Sequence, residues 1–578
     1  MSRTSRFLQR RPAGRNAPRA DVAPWDEPST LRRLSPRPRT RHATRDRAPE
    51  PLDLRLAPAA AAAWASAFWA VGLGGPRPWS PALLGALVAV AAAMPLGAAA
   101  ARFRPPRHRH DPRPGAGYLE DSAVGSLAAS LLALALTITA VLTVTAADSW
   151  SRARDPLTIA AQEERTVTLT GTLTRTPRAT ATSRRTTVLS ALSVDAVDGA
   201  PSHLTATVLG DADWLAVPLG APVRVRARLR PAAPGKSEAA IIGANATVSV
   251  TGPATGLLSI VARLRDGLGD AVGPEPTAPA ADPSRTGVDW PAGTRALVPG
   301  VALGDDHALP TPVREDMRAV SMTHLTAVSG QHVAIVLGLV LAALGAAPRW
   351  ARAAVGALVL AGLVVLVRPD GSVLRAAAMG AVMLLGVGAG RRSASLPALS
   401  AGVIVLLLLD PWQARDYGFA LSVLATAGIL LGSAPLTAVL SRRLPRPLAA
   451  GVALPLVAQL ACAPVLVLLR PTVGIWSVPA NVLAAPPVPV ATVCGILAAL
   501  VSPLSPRAAV LIAWPATASC AWLVLVARAF ARLPGASVNW PGHITGALLL
   551  AGIEAAVIAA AYWRGRRRTL RRRRRGRL

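Results

Sequence analysis

Cysteine is scarce in this sequence: Cys462, Cys494 and Cys520 are the only three among 578 residues. All lie in apolar blocks, where a thiol reads as a small core residue. No Cys-x-x-Cys or Cys/His cluster suggests a metal. The polar middle of the chain has no cysteine, so no disulfide braces it. Lysine is scarcer still, with Lys236 alone among 62 basic residues. Arginine in place of lysine, with abundant alanine, is what a GC-rich genome favours. The net charge of +31 is therefore weaker evidence for a nucleic-acid partner than the placement of the arginines. Aromatics make up only 4% of the chain. No Gly-x-x-x-x-Gly-Lys-[Ser/Thr] segment is present, so a transport process would draw its energy from another protein. No Gly-x-Ser-x-Gly elbow is present either. His108-Arg109-His110-Asp111 opens like a metallo-hydrolase motif, but Pro112 and Arg113 stand where that motif needs Asp and His. No metal or other cofactor is expected.

What is abundant is apolar: 52% of residues, with a mean hydropathy of +0.40. Twelve apolar blocks are long enough to read as spans, at about 58–74, 81–100, 124–147, 324–345, 350–367, 371–390, 395–410, 416–433, 447–469, 485–502, 507–531 and 543–563. Between the third and fourth the pattern changes. Segments 165–175, 184–197, 202–209, 222–230 and 245–252 alternate polar and apolar residues, rich in Thr and Val. They read as five half-buried strands of an OB-like barrel or a small sandwich. The fold class expected is a polytopic α-helical membrane protein of about 12 spans with one inserted extracytoplasmic all-β OB-like domain. Its parts are a disordered basic cytoplasmic tail (1–56), an N-terminal three-helix membrane region (57–150), the β domain (151–252), an interfacial helix and linker (253–292), a second, larger transmembrane domain (293–563) and an Arg-rich cytoplasmic tail (564–578). Placing the basic N-terminus in the cytoplasm puts arginine in most inner loops: Arg349 and Arg352, Arg391 and Arg392, Arg442, Arg443 and Arg446, and Arg507. The count leaves the β domain outside and both termini cytoplasmic, in the cell membrane. Segment 473–486, broken by two prolines and Asn481, reads as re-entrant.

Polar residues at the edges of spans are costly unless they face protein or water, so they are the candidate sites. His324, Ser329, Gly330 and His332 open the block at 324–345. On one continuous helix the two histidines stand about 12 Å apart along one face, too far to share a metal. A break at Ser329-Gly330 brings them together, and its exposed backbone can hold an anion. Capping is the simpler reading. A Ser–His hydrolase is a third, without a carboxylate to orient the ring. Arg375 and Glu554 lie inside spans: the arginine pairs, lines a path or snorkels, and the glutamate pairs or lines a path. On the strand 222–230, Arg224, Arg226, Arg228 and Arg230 share one face about 6.7 Å apart. This cationic rail suits a polyanion backbone, or else is a solvated face. Trp214 is the only aromatic residue of the β domain, so DNA contact there is expected to be with phosphate and indifferent to base. The terminal arginines read as contacts with anionic membrane lipids or as a topology determinant, rather than as a nucleic-acid contact.

The segment HLTAVSGQHV at 324–333 resembles the His-Leu-x-x-x-Ser-Gly-x-His signature of the ComEC family of competence channels. VPGVALGDD (298–306), SVLRAAAM (372–379), LDPWQARDYGFALSVLATAGI (409–429) and VPANVLAAP (478–486) resemble further family segments in the same order. The resemblance implies a channel that passes single-stranded DNA, an external OB domain at 151–252 and a conducting bundle made by the later spans. Its pore candidates are then His324, Ser329, Gly330, His332, Arg375 and Asn481, with Glu554 added from its place in a span. It also implies an external DNA receptor and a cytosolic ATPase or DNA-binding protein as partners. Many members carry a metallo-β-lactamase-like domain after the bundle, which this sequence lacks. A separate nuclease is therefore expected where the second strand must be degraded.

Overall fold

The computed structural model describes residues 54–72, 117–182, 185–243, 245–254, 256–275, 289–326, 329–367, 371–389 and 395–575. Nearly all of the basic tail 1–56, the span at 81–100, most of the basic loop 101–123, the Pro-rich linker at 276–288 and Arg391 and Arg392 lie outside the described residues.

Two helices, α1 (Ala57–Gly72) and α2 (Gly117–Arg154), precede the short α3 (Pro156–Gln162) and the β domain. In that domain, β1 (Thr166–Thr182) pairs with β2 (Arg185–Val197), to which the two-residue β3 (Ala200–Pro201) and β4 (Thr205–Gly210) also pair. Then come β5 (Pro222–Pro231), β6 (Ala240–Ile242) and β7 (Thr247–Val250). The order β1-β2-β4-β6-β5 closes on itself because β5 also pairs with β1; β4 and β6 run parallel and the other ring pairs antiparallel. Alternation explains the closure, since inward residues such as Leu169, Leu192, Val208, Val225 and Ile242 form one buried core. Leu157 and Ala160 of α3 join that core. Gly171 sits at a bulge between β1 and β2, where a Cβ would lie 2.2 Å from the Ser193 carbonyl oxygen. Four of the five strands read from sequence belong to the ring. The three-residue β6 that closes it carries too little pattern to read.

The remaining helices are α4 (Gly256–Val272), α5 (Thr294–Leu303), α6 (Thr311–Ala319), α7 (Gly330–Ala343), α8 (Arg349–Val367), α9 (Gly371–Gly388), α10 (Ser395–Leu409), α11 (Tyr417–Leu440), α12 (Arg446–Leu469), α13 (Ser477–Ala484), α14 (Val488–Val501), α15 (Pro506–Ala531) and α16 (His543–Arg575). Among the described residues seven helices are long and apolar enough to cross a membrane, or eight if the pair α13 and α14, bent by 50°, counts as one broken span. The twelve-span reading is therefore too high for what is described. The blocks at 58–74, 324–345, 395–410 and 485–502 hold helices of 16, 14, 15 and 14 residues. At about 1.5 Å per residue the longest reaches about 24 Å, against a hydrocarbon core of about 30 Å. Hydropathy alone cannot separate such pieces from full spans. The bend between α13 and α14 does lie in the segment read as re-entrant.

The amphipathic α4 packs on α5, α14 and α15 through Val261 and Leu268, leaving Leu257, Leu258 and Ile260 exposed. Helix α1 packs on α2 and α10, and Trp64 donates from Nε1 to the Ala414 carbonyl at 2.9 Å while meeting Phe419 edge-on. All three cysteines are unpaired, and Cys520 is fully buried as a core residue.

Candidate functional site

The helix does break between His324 and His332. Residues 323–325 form a single 3-10 turn, and α7 starts at Gly330 with Ser329 as its N-cap. The Ser329 N–H donates to His332 Nδ1 at 3.0 Å, and Ser329 Oγ lies 3.1 Å from the same nitrogen. His332 thus occupies the position that Glu or Gln takes in a capping box. With Nδ1 accepting, the ring proton sits on Nε2, which is buried and meets no partner among the described residues. Ser329 and His332 therefore form a dyad without an orienting acid among the described residues. Gly330 borders open space.

His324 is exposed and donates from Nδ1 to the Ser321 carbonyl at 3.0 Å. Ser321 has a left-handed φ of 56°, and its hydroxyl accepts from the buried Ser477 hydroxyl at 3.0 Å. Asn481 donates to the Ser477 carbonyl at 2.8 Å and reaches the Val320 carbonyl at 3.5 Å. His324 and Asn481, far apart in sequence, therefore hold one turn. Ser321 and Ser477, which complete it, carry no sequence signal.

Arg375 is buried and pairs with Asp416 at 3.0 Å. Asp416 is also the N-cap of α11, accepting from Gly418 and Phe419 N–H at 3.1 Å each. The pairing replaces snorkelling as the reading of this arginine. Glu554 is half-buried on α16, with no ion pair among the described residues. It does not meet Arg375: α9 packs on α7, α8, α10 and α11, whereas α16 packs on α12.

On β5, Val223, Val225, Ala227 and Leu229 are buried, and Arg224, Arg226, Arg228 and Arg230 are exposed. Arg228 is held by Glu164, through its carboxylate at 3.0 Å and its carbonyl at 3.0 Å. The other three make no ion pair among the described residues. Hydroxyls flank the rail, since Thr170 and Thr168 of β1 stand opposite Arg224 and Arg226, with Ser249 and Thr247 on the β7 side. Trp214 is buried in the barrel core and offers no stacking face.

A further polar cluster ties the β domain to the bundle. Arg178 of β1 pairs with Asp306, in the loop after α5. Its neighbour Asp305 pairs with Arg265 of α4 at 2.7 Å and with His307. Arg314 of α6 donates to the Asp306 carbonyl at 2.9 Å. Burial pushes the Asp305 carboxyl up, but the His307 hydrogen bond and the Arg265 charge more than offset this and hold it well below the usual carboxylate range. The same hydrogen bond raises His307 above its ordinary value. Among the described residues no group of three His, Cys, Asp or Glu side chains could hold a metal.

Residues 301–567 match the family model described as "Competence protein". A relative is the ComE operon protein 3 of Bacillus subtilis (strain 168), 30% identical over 200 residues, which are 34% of this chain and 25% of that protein. The match thus spans a quarter of that relative's length. No solved structure matches. The matched stretch runs from α5 into α16 and takes in the His324–His332 break, the Arg375–Asp416 pair and the Asn481 turn. Over that stretch, a little under half of the chain, the sequence is similar to the competence-protein family, as a ComEC-type domain.

Proposed function

We propose that this chain is a multi-pass channel of the cell membrane that admits single-stranded DNA during natural transformation, with no chemistry of its own. The observation that carries the reading is the exposed rail of Arg224, Arg226, Arg228 and Arg230 on a β domain joined to a competence-type bundle. Guanidinium forks spaced along a strand suit a phosphate backbone. The closed five-strand ring, with its single parallel pair, supports an OB-like barrel. In this reading the β domain is extracytoplasmic, both termini are cytoplasmic, and the pore draws on His324, Ser329, Gly330, His332, Arg375, Asn481 and Glu554. An external DNA receptor and a cytosolic ATPase or DNA-binding protein complete the process, with a separate nuclease where the second strand must be degraded. Deleting the chain from a naturally competent host should abolish internalisation of labelled DNA while leaving surface binding intact. Normal internalisation would overturn the reading.

A further inference from the structure

The hairpin of α11 and α12 leaves a groove of about 510 Å³ beside its turn, lined chiefly by Ser433, Thr437, Ser441, Arg446, Ala450 and Leu454. Helix α11 has 24 residues, about 36 Å, so its ends lie near the boundaries of a hydrocarbon core about 30 Å thick. From Ser441 at the turn to Ser433 the groove descends about 12 Å. Leu431, Val439 and Leu454 are exposed beside it, where lipid chains would surround them.

Two independent features point to a ligand. The first is charge. Arg442, Arg443 and Arg446 cluster at the turn, and no Asp or Glu occurs anywhere between Asp416 and Glu554. None of the three makes an ion pair among the described residues. The second is the hydroxyls. Within helices of this bundle, Thr139, Thr426, Thr517 and Ser519 each donate to the carbonyl four residues back, at 2.8–2.9 Å. That is how a hydroxyl satisfies itself where water is absent. Ser433 and Thr437 make no such bond and have no partner among the described residues. Thr492 of α14 is unpartnered too, but it is buried in the core, whereas Ser433 and Thr437 line the groove.

We propose that the groove holds one anionic phospholipid. The Arg446 guanidinium binds the phosphate at the turn, Thr437 and Ser433 donate to the ester carbonyls below it, and an acyl chain lies against Leu454. The order fits the lipid, since charge lies outermost, then donors, then an apolar floor. A nucleic-acid strand has no use for that floor.

The test is native mass spectrometry of the full chain in detergent micelles. The probes are dioleoylphosphatidylglycerol, dioleoylphosphatidylcholine, inorganic phosphate and a single-stranded 20-mer. The first phosphatidylglycerol should bind well ahead of phosphatidylcholine. Arg446→Gln, at the exposed end of the groove, should weaken it about tenfold, as removal of a charge-assisted hydrogen bond implies. Ala450→Trp fills the groove without changing charge and should weaken it as much, which excludes a contribution from the C-terminal arginines. First-lipid affinity unchanged in Arg446→Gln would overturn the proposal. So would equal binding of phosphatidylcholine, or displacement of the lipid by inorganic phosphate or by the oligonucleotide.

Discussion

His324 and His332 look equivalent in the sequence, flanking one Ser-Gly pair, but they occupy opposite environments. His332 is buried and caps the Ser329 N–H; His324 is exposed and braces the 321 turn. Capping is one of the readings open from sequence, and the choice of ring is not, because it depends on the turn at 323–325. His332→Ala should cost about 1 kcal/mol through removal of the cap and lower the amount of protein in the membrane. His332→Gln, which supplies the usual capping side chain, should restore both protein and DNA uptake. His324→Ala should leave the protein level normal and abolish uptake. Transformation abolished in His332→Gln at normal protein level would place the His332 ring itself on the DNA path. Asp305 and His307 define a second residue-scale outcome. The raised His307 contributes stability fully below the free imidazole value of about 6.5 and loses it as pH rises through its folded value. The lowered Asp305 contributes throughout the neutral range and fails only in strong acid. The thermal midpoint should therefore fall as pH rises above about 6.5, and His307→Ala should flatten that fall. His307 is half exposed, so the effect should stay below about 1 kcal/mol. A wild-type midpoint that holds across this range would remove the cluster from the stability of the fold.

Strand β5 is the element the sequence states most clearly. Period-2 alternation alone assigns Val223, Val225, Ala227 and Leu229 to the core and the four arginines to the surface, and the burial agrees at each position. Glu164 is not legible as the partner of Arg228, because it lies 64 residues away across a strand pairing. Asp416 is equally hidden as the partner of Arg375, since 41 residues separate them. Helices of 14 to 16 residues pass for spans for a related reason: hydropathy records apolarity, whereas Ser329 as an N-cap or Pro411 after α10 sets the length. For the rail, the full chain in nanodiscs should bind single-stranded oligonucleotides with a salt-dependent affinity. Replacing Arg224, Arg226 and Arg230 with Gln should leave the fold intact. The log–log salt slope should fall in magnitude by at most about 2, at about 0.7 for each phosphate that is no longer neutralised. Affinity should drop about equally for every sequence, since guanidinium–phosphate pairing carries no base information. A slope unaltered by the triple substitution would assign the rail to solvent.

At the scale of the whole molecule, the β domain is held on the bundle at separate points rather than tethered by linkers alone. Arg178 on the long β1–β2 hairpin meets Asp306 after α5. At another point Arg152 at the end of α2 donates to the Ser237 carbonyl at 2.6 Å. A barrel fixed in this way presents its rail at a set place relative to the break before α7. Arg178 and Asp306 pair directly at the first of these points, so they permit a double-mutant cycle. Arg178→Asp and Asp306→Arg should each lower transformation by placing like charges together. The charge-swapped double variant should recover most of the deficit, with a coupling of about 1 kcal/mol in the thermal midpoint because Arg178 is partly exposed. Additive deficits in the double variant would mean that the two residues act separately and that the domain is placed by its covalent connections. The same preparation tests which side of the membrane the barrel occupies. Gly199 lies in a turn with a φ of 87° and open space around it. A reporter that works only in the cytoplasm, inserted there, should be silent. Strong reporter activity would put the barrel and its rail inside the cell, where they could not meet incoming DNA before the bundle does.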